Sequence, residues 1–514
     1  MDFEEWISNG KEKAKTKFSN KRLLTATFIL ILVSASLFAT WAFAATLNGE
    51  KESGNLDVEI MPRQAKLYPG QSQLFSVVLY NGTAPFTYRW ESNGTYLASS
   101  PTVDFSFQTA CEYTVLSVCV TDSKGNIGFD SVFVYDPAFE SRLRYFDASM
   151  PYSYLVESNG THAFMMNGTT HQMEASGIDQ DQIINWALGN LTVGRTWQET
   201  VWLMGNFTID SPLRVYSHTK IVLACEIYLE ANSDCNMIEN AEWNAHDVVI
   251  AGSGRLFGDY ENQNSGHGIY WRINGTNPDS QQYPFSLTIS PEELRIHYIK
   301  QDGVHIDMLG SSGTFQVWIE NLHTFSCRRY GIYWYCVYDS YLQESWIGGN
   351  AKNFYQLYCT SNHISDCYFG GGVSEEVMLA HWMRATHFTN CRWDNGASSP
   401  VAQEDFVRLT GNCSGNTFIG GGITSTDNLI NNNTEVGLSI EDDSHDNLFS
   451  GFYIGVRTDQ TGTNKLKYGI VEIENADYNM ICCVNARDVA TAGIMIVGEN
   501  TKVSDSWNGT SWIS

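Results

Sequence analysis

A short pattern that returns about every two dozen residues through the C-terminal half constrains this chain more than any other feature. The segments Trp346-Ile-Gly-Gly-Asn350, Tyr368-Phe-Gly-Gly-Gly372, Arg392-Trp-Asp-Asn-Gly396 and Phe418-Ile-Gly-Gly-Gly422 align at Gly348, Gly370, Asp394 and Gly420, at intervals of 22, 24 and 26 residues. Farther on, Asn416-Thr-Phe, Asn447-Leu-Phe and Asn479-Met-Ile recur at 31 and 32 residues, as coils with longer loops would. Short aromatic or β-branched runs between polar turns at this period are read as one solenoid coil per repeat. Helical repeats would need amphipathic runs. With only 17 % charged residues, 43 Gly, 15 Trp, 26 Tyr and 26 Phe, the chain favours strands and turns instead. Cysteines keep the same clock: Cys336 to Cys359, Cys367 to Cys391 and Cys391 to Cys413 are 23, 24 and 22 residues apart. Coils stacked about 4.8 Å apart would place these thiols in interior ladders, with disulfides as the competing expectation for an exported chain.

Export is expected from the N-terminus. Residues 1–22 carry six bases and four acids, and the 23 residues from Leu23 to Ala45 carry no charge. That length crosses a bilayer, and basic residues before the first apolar span keep that end cytoplasmic. Residues 1–22 then form a cytoplasmic stub, 23–45 a membrane anchor, and everything from about residue 46 lies outside the cell. A cleaved signal peptide is the alternative, because Ala42-Phe43-Ala44 closes the span with a small-x-small pattern. Ten Asn-x-Ser/Thr sequons between Asn81 and Asn508 fit an exported glycoprotein, although an Asn-, Gly- and Thr-rich chain also produces them by chance. Acids outnumber bases 57 to 31, for a net charge of −26, which disfavours nucleic acid as a partner and repels other polyanions unless a metal intervenes.

After a linker at 46–55, residues 56–136 alternate apolar and polar over short runs such as Leu74-Phe-Ser-Val-Val-Leu79 and Ser131-Val-Phe-Val-Tyr135. Turn signals at Pro69-Gly70, Asn81-Gly82, Asn93-Gly94 and Lys124-Gly125-Asn126 separate them. Strands at this spacing imply a small β-sandwich. If Tyr113-Thr-Val-Leu-Ser-Val-Cys119 is one strand, Cys111 and Cys119 lie about 26 Å apart and cannot bond each other. The residues Tyr68-Pro-Gly-Gln71, Pro85-Phe-Thr-Tyr-Arg-Trp90, Tyr113-Thr-Val and Val120-Thr-Asp122 together resemble PKD and immunoglobulin-like domains, which implies a spacer or stalk.

Residues 137–176 lead into the solenoid module, assigned to 177–514. Asp179-Gln-Asp-Gln182 reads as a capping box for a short helix with Ile183, Ile184, Ala187 and Leu188 on one side, ending at Gly189. The strand-like runs Val201-Trp-Leu, Lys220-Ile-Val-Leu223 and Asp247-Val-Val-Ile-Ala-Gly-Ser-Gly-Arg-Leu-Phe-Gly258 follow it. This order resembles the N-terminal cap and first turns of the pectate-lyase-like right-handed parallel β-helix superfamily. The resemblance implies an all-β solenoid of roughly a dozen coils, in a group that includes glycoside hydrolases, polysaccharide lyases, epimerases, tailspikes and non-catalytic adhesins. Fold does not choose among them.

Residues narrow the choice. Lys300-Gln-Asp-Gly-Val-His-Ile-Asp307 is similar to a polygalacturonase segment with Asp302 at the catalytic-acid position. One coil later, however, Arg328-Arg329 stands where that family has an Asp pair. A hydrolase needs two or three carboxyls on one groove, and the partner is missing. Arginines suit a lyase, which needs a base for the C5 proton of a uronate and a cation for its carboxylate. The resemblance then implies Asp302, Asp307, Arg328 and Arg329 as catalytic candidates, with Ca²⁺ on Asp302 and Asp307. The plain alternative is a turn at Asp302-Gly303 and a solvated arginine patch. Further acids gather at Glu375-Glu376, at Asp394 with Glu404-Asp405, and at Glu441 to Asp446. If Ile332 and Trp334 face inward, Tyr333 and Tyr335 face outward, either to meet sugar rings or to line a contact in a homo-oligomer. The expected function is a membrane-anchored, cell-surface β-helix protein that engages extracellular polysaccharide as an adhesin or structural protein. The alternatives are a calcium-assisted uronate lyase and a glycoside hydrolase.

Overall fold

The computed structural model of the chain describes residues 56–135 and 152–513, except 63, 69, 93–94, 108–112, 171, 244, 274–284, 290–291, 309–315, 373–376, 396–404, 426–435, 452, 457–465, 474, 487–488 and 508–510. The stub, the uncharged span at 23–45 and the 46–55 linker lie outside the described residues. Among the described residues no helix is long and apolar enough to cross a membrane. The chain divides into two compact units, the second beginning at Ala148.

The first unit is a sandwich of two sheets. Val58–Met61, Ser72–Leu79 and Thr102–Ser106 form the smaller. Gln64–Lys66, Ile127–Tyr135, Tyr113–Thr121, Thr87–Ser92 and Thr95–Ala98 form the larger, in that spatial order. Alternation along each strand sends Ile60, Phe75, Trp90, Leu116, Val118 and Val134 into a shared core. The Trp90 indole, wholly buried, donates to the Ser100 carbonyl at 2.9 Å. At the Lys124-Gly125-Asn126 turn, Asp122 Oδ1 accepts from the backbone N–H groups of Lys124 and Asn126, both at 2.9 Å. Cys119 lies on the single strand Tyr113–Thr121, as expected, and is a free thiol; Cys111 lies outside the described residues.

The second unit is a parallel β-helix with three faces. Its entrance is built as the capping box implies. Asp179 caps the helix Gln180–Gly189 by accepting from the Gln182 N–H, and Ile183, Ile184, Ala187 and Leu188 are buried. The hairpin strands Tyr154–Asn159 and Ala163–Asn167 stand beside it, the former pairing in parallel with the first coil strand, Glu199–Ile209. The long strands Glu199–Ile209 and Thr219–Leu229 serve two faces at once. From Val248–Ala251 and Arg255–Phe257 onward they split into a first and a second face. The third face is an eleven-stranded parallel sheet from Leu213–Val215 to Val489–Met495, so the chain makes about as many coils as the repeat implies.

Stacking in register makes each interior position a column, and the columns explain the repeats. Ser340, Asn362, Thr386, Asn416, Asn447 and Asn479 immediately precede the strands of the first face. Asn416, Asn447 and Asn479 form a buried ladder. The N–H of Asn416 donates to Asn447 Oδ1 at 3.0 Å, and the N–H of Asn447 donates to Asn479 Oδ1 at 3.0 Å. The Asn447 amide also donates to the Cys413 carbonyl at 3.0 Å. Each asparagine thus satisfies backbone that a corner leaves without sheet partners. The cysteines obey columns as well, but not the ones their spacing suggests. Val337, Cys359, Met383 and Cys413 precede the in-register bridge residues Tyr338, Thr360, Arg384 and Ser414. Cys367 and Cys391 belong to another column, which precedes the second face. Cys336 falls one residue short of the first column and is only half-buried, because Val337 takes the interior place. The alignment at Gly348, Gly370 and Asp394 holds in the sheet, but the next in register is Thr424; Gly420 lies at the corner before the second face.

Two expectations follow. Asn447→Ala should strand the Asn416 N–H, leave the Cys413 carbonyl with only the His445 N–H as donor, and lower stability by about 2 kcal/mol, read as a shift in denaturant midpoint, whereas the exposed Thr389→Ala should cost less than about 0.5 kcal/mol. All described cysteines are free, and burial pushes Cys359 and Cys413 up to about 12. Native protein should therefore expose Cys483 rapidly to a thiol reagent, and Cys225, Cys327, Cys359, Cys367, Cys391 and Cys413 only on unfolding. Fast labelling of those six in the folded state would refute the interior columns.

Candidate functional site

The site lies where three successive strands of the third face begin: Ile269–Arg272, Val304–Asp307 and Tyr330–Tyr335. The sequence repeats there as Gly268-Ile-Tyr-Trp, Gly303-Val-His-Ile and Gly331-Ile-Tyr-Trp. A Cβ on Gly268 would lie 2.5 Å from the Gly303 carbonyl oxygen, and one on Gly303 would lie 2.7 Å from that of Gly331. Only glycine allows the coils to close this tightly. The preceding residues, His267, Asp302 and Tyr330, are consequently brought one above another. Strand alternation then turns Val304 and Ile306 inward and His305 and Asp307 outward.

Asp302 is the centre of the cluster and is fully buried. Arg329 Nε donates to its Oδ1 at 2.6 Å, a second guanidinium N–H donates to Oδ2, and the Tyr330 backbone N–H donates to Oδ1 at 3.2 Å. His305 Nδ1 lies 2.7 Å from Oδ2, and His267 Nδ1 lies 3.3 Å from it. Burial works to raise the Asp302 carboxyl, but the hydrogen bonds from Arg329, His267 and His305 outweigh it and hold the group well below the usual carboxylate range. The same pairing raises Arg329, while burial pushes His267 down. An ionised carboxylate 2.7 Å away requires the proton of a neutral His305 on Nδ1, leaving Nε2 bare. The site is therefore a buried anion that holds the Arg329 guanidinium and the His305 imidazole, while the Asp302 backbone N–H donates to His267 Nδ1 at 3.3 Å.

The expected residues fall on different sides of this arrangement. Asp302 and Arg329 are joined. Arg328 turns the other way, its guanidinium 4.0 Å above the Tyr260 ring. Asp307 projects outward at the far end of its strand, about 16 Å along the chain from Asp302, and pairs with Arg272 at 3.7 Å. Tyr333 and Tyr335 do project outward, yet Tyr333 is sandwiched between His305 at 4.6 Å and Tyr355 at 5.5 Å, both rings nearly parallel to it. With both faces covered, Tyr333 offers an edge and a hydroxyl rather than a stacking platform. Tyr335 packs edge-on against Tyr358. His305, three residues after Asp302, and His267, on the coil before, complete the cluster; alignment on Gly268, Gly303 and Gly331 brings His267 beside Asp302.

Metal chemistry can be tested on the donors. His267, Asp302 and His305 each bring a ligand atom within 4.8 Å of the others. The Arg329 guanidinium, however, already sits on both carboxylate oxygens, where a cation would bind. Calcium on Asp302 and Asp307 fits no better, since it needs six or more converging oxygens and these two carboxylates do not converge. A glycosidase acid must be protonated near neutrality, which does not suit an Asp302 held ionised. Among the other acids, Glu375, Glu376 and Glu404 lie outside the described residues. Asp394 pairs with Arg392 and Glu441 with Arg408, each at 2.9 Å, and Asp405 accepts from Ser439 Oγ at 2.6 Å.

The chain is thus a parallel β-helix protein with a buried charged cluster on one face. No family model matches its sequence, and no curated protein matches it either. Its solved structural neighbours include the A-module of the mannuronan C-5 epimerase AlgE6 from Azotobacter vinelandii (12 % identity, TM-score 0.33, covering 64 % of this chain and 95 % of that one). They also include a family 28 exopolygalacturonase from Yersinia enterocolitica (9 % identity, TM-score 0.41, covering 89 % and 100 %) and ORF18 of Geobacillus virus E2 (12 % identity, TM-score 0.36, covering 76 % and 68 %).

The cluster makes stability depend on pH with a definite sign. His267 is pushed down by burial, as is His297 on the second face, to about 4. Such groups are neutral in the fold but bind protons more readily when unfolded. Their contribution is full above about pH 6.5 and is lost as pH falls toward the folded value, and Asp302, held low, adds a second loss below about pH 4. The thermal midpoint should fall below about pH 6.5 and more steeply below about pH 4, with His297→Gln removing part of the first decline. A midpoint that rises on acidification to pH 5 would contradict this assignment.

Proposed function

We propose that this is a surface-displayed β-helix protein that engages an extracellular polysaccharide bearing carboxylates, at the corner joining the second and third faces. The observation that carries this reading is the company its cations keep. Most solenoid arginines sit beside acids: Arg214 with Glu239, Arg255 with Glu226, Arg295 with Glu293 and Arg392 with Asp394. At this corner Arg328 lies over Tyr260, and the Lys300 ammonium donates to the Tyr260 carbonyl at 3.1 Å. Among the described residues neither lies within ion-pair distance of a carboxylate, although the Lys300 charge is felt at Asp234. Arg329, half-exposed beside them, is neutralised by Asp302 but keeps guanidinium N–H groups toward solvent. In a chain of net charge −26, a local group of cations with an aromatic beneath it is an anion-reading surface.

The remaining features fit display. The uncharged span at 23–45 suits an anchor, and the PKD-like character of 56–136 suits a spacer. Binding alone requires nothing more than this corner, which favours an adhesin or structural protein over a calcium-assisted lyase, whose two aspartates stand apart. It also favours binding over a hydrolase, whose acid would have to be Asp302.

The test is binding of the full chain to polygalacturonate, alginate and neutral dextran at low and moderate salt. Both acidic polymers should bind, with affinity falling as salt rises, and dextran should not. Lys300→Ala and Arg328→Ala should each weaken binding about fivefold, the loss of roughly 1 kcal/mol expected of a screened surface cation. Equal affinity for dextran, or no change in the double variant, would refute the reading.

A further inference from the structure

We infer that His363 and His387 form a binding site for a divalent transition-metal ion on the first face of the solenoid, with Thr417 as the residue that positions His387. The pair lies outside the charged cluster and does not rest on the reading of the corner given above. Strands His363–Ser365 and His387–Thr389 run in parallel on successive coils, with the two histidines directly opposite each other. Both side chains project outward, His363 exposed and His387 half-buried. They continue one outward column that begins with Trp318 and Tyr341. Tyr341 stacks on His363 at 5.1 Å and nearly parallel, and the His387 ring follows at a further 5.1 Å, tilted by 31°. The ladder that covers this face with carbon edges thus presents nitrogen on two consecutive rungs.

Three properties make the pair a ligand set as well as a packing device. The first is spacing. With a metal–nitrogen bond of about 2.1 Å and roughly 1.1 Å from ring centre to nitrogen, two rings 5.1 Å apart meet a shared ion at an angle of about 105°, close to tetrahedral. The second is orientation. His387 Nδ1 lies 2.7 Å from the hydroxyl of Thr417, the next residue in the column, which leaves Nε2 to face an ion. The hydroxyl oxygen can accept the Nδ1 proton, the kind of outer contact that fixes tautomer and ring direction in metal-bound histidines. The third is the absence of competitors. Among the described residues His363 makes no hydrogen bond, and neither histidine lies within ion-pair distance of a carboxylate. Burial, and then the charge of His363, push His387 down, so that it meets an ion as a neutral imidazole. At His267, Asp302 and His305, by contrast, the Arg329 guanidinium already holds the carboxylate. Two imidazoles without a carboxylate select Zn²⁺, Ni²⁺ or Cu²⁺ over Ca²⁺ and Mg²⁺, with water filling the remaining positions.

The full chain, without an affinity tag, would be titrated with Zn²⁺ and with Ni²⁺ by calorimetry, and its thermal midpoint read with and without each ion. Both ions should bind and raise the midpoint, whereas Ca²⁺ at the same concentration should leave it unchanged. His363→Gln and His387→Gln should each weaken binding at least about 100-fold and abolish the ion-dependent shift, with the ion-free midpoint kept. Thr417→Val should weaken binding about tenfold, and Thr417→Ser, which keeps the hydroxyl, should restore it. Cys483→Ser, which removes an exposed thiol, and His323→Gln, on the second face, should change nothing. Full binding in His363→Gln and His387→Gln, or its loss in Cys483→Ser, would place the ion elsewhere and overturn the inference. So would failure of both ions to bind. Neither result touches the affinity for acidic polymers, so the proposed function stands or falls separately.

Discussion

Everything in the second unit depends on one constraint: each coil must lie on the last in register, about 4.8 Å away, with the same corner repeated. A strand pays its hydrogen bonds to its neighbours along its whole length, but a corner cannot, because its backbone turns out of the sheet. The Asn416–Asn447–Asn479 ladder repairs that deficit from inside: the Asn447 and Asn479 side chains each accept from a backbone N–H of the preceding coil and donate to a carbonyl of that same coil. Where the corner instead closes too tightly for any side chain, the column is glycine, at Gly268, Gly303 and Gly331. The same requirement that makes the solenoid regular therefore sorts its interior into polar, thiol and glycine columns.

Register governs the outside equally. Outward residues also fall into columns, so aromatic neighbours stack, as Trp318, Tyr341 and His363 do on the first face, and His323, Trp346 and Tyr368 on the second. Stacked rings cover one another and show solvent their edges. An outward aromatic ladder is for that reason first a way of stabilising the sheet, and only its ends and its polar edges are available to a ligand. The third face differs in that His305 and Tyr333 continue such a ladder directly above a buried ionised carboxylate, so that a packing device also fixes the direction of an imidazole.

Architecture was legible in the sequence because periodicity is an average over many coils. The cap helix was legible because Asp179 and Gln182 make a local motif. Individual columns were not, because loop insertions alter the interval between equivalent residues: Cys391 and Cys413 are one period apart in sequence and belong to different columns. The site was half legible for the same reason. Asp302 and Arg329 stand out as charges in an apolar setting and His305 lies three residues from Asp302, while His267 is a whole coil away and comes beside Asp302 only when the glycines are aligned. Asp307, grouped with Asp302 by proximity in sequence, faces outward at the opposite end of the strand.

The role of a carboxylate is thus decided by what surrounds it rather than by the motif that carries it. An acid that must deliver a proton has to be destabilised as an anion, through burial without compensation or beside another negative charge. Asp302 has the burial, but Arg329, His267 and His305 reverse its effect, and the coil after it supplies an arginine where a second carboxylate would have been needed. With an arginine there, the position is suited to holding a guanidinium and an imidazole in place and not to donating a proton. Asp302 is by this measure an anchor: its charge is spent inside the cluster, on the Arg329 guanidinium and the His305 ring beneath the outward aromatic ladder.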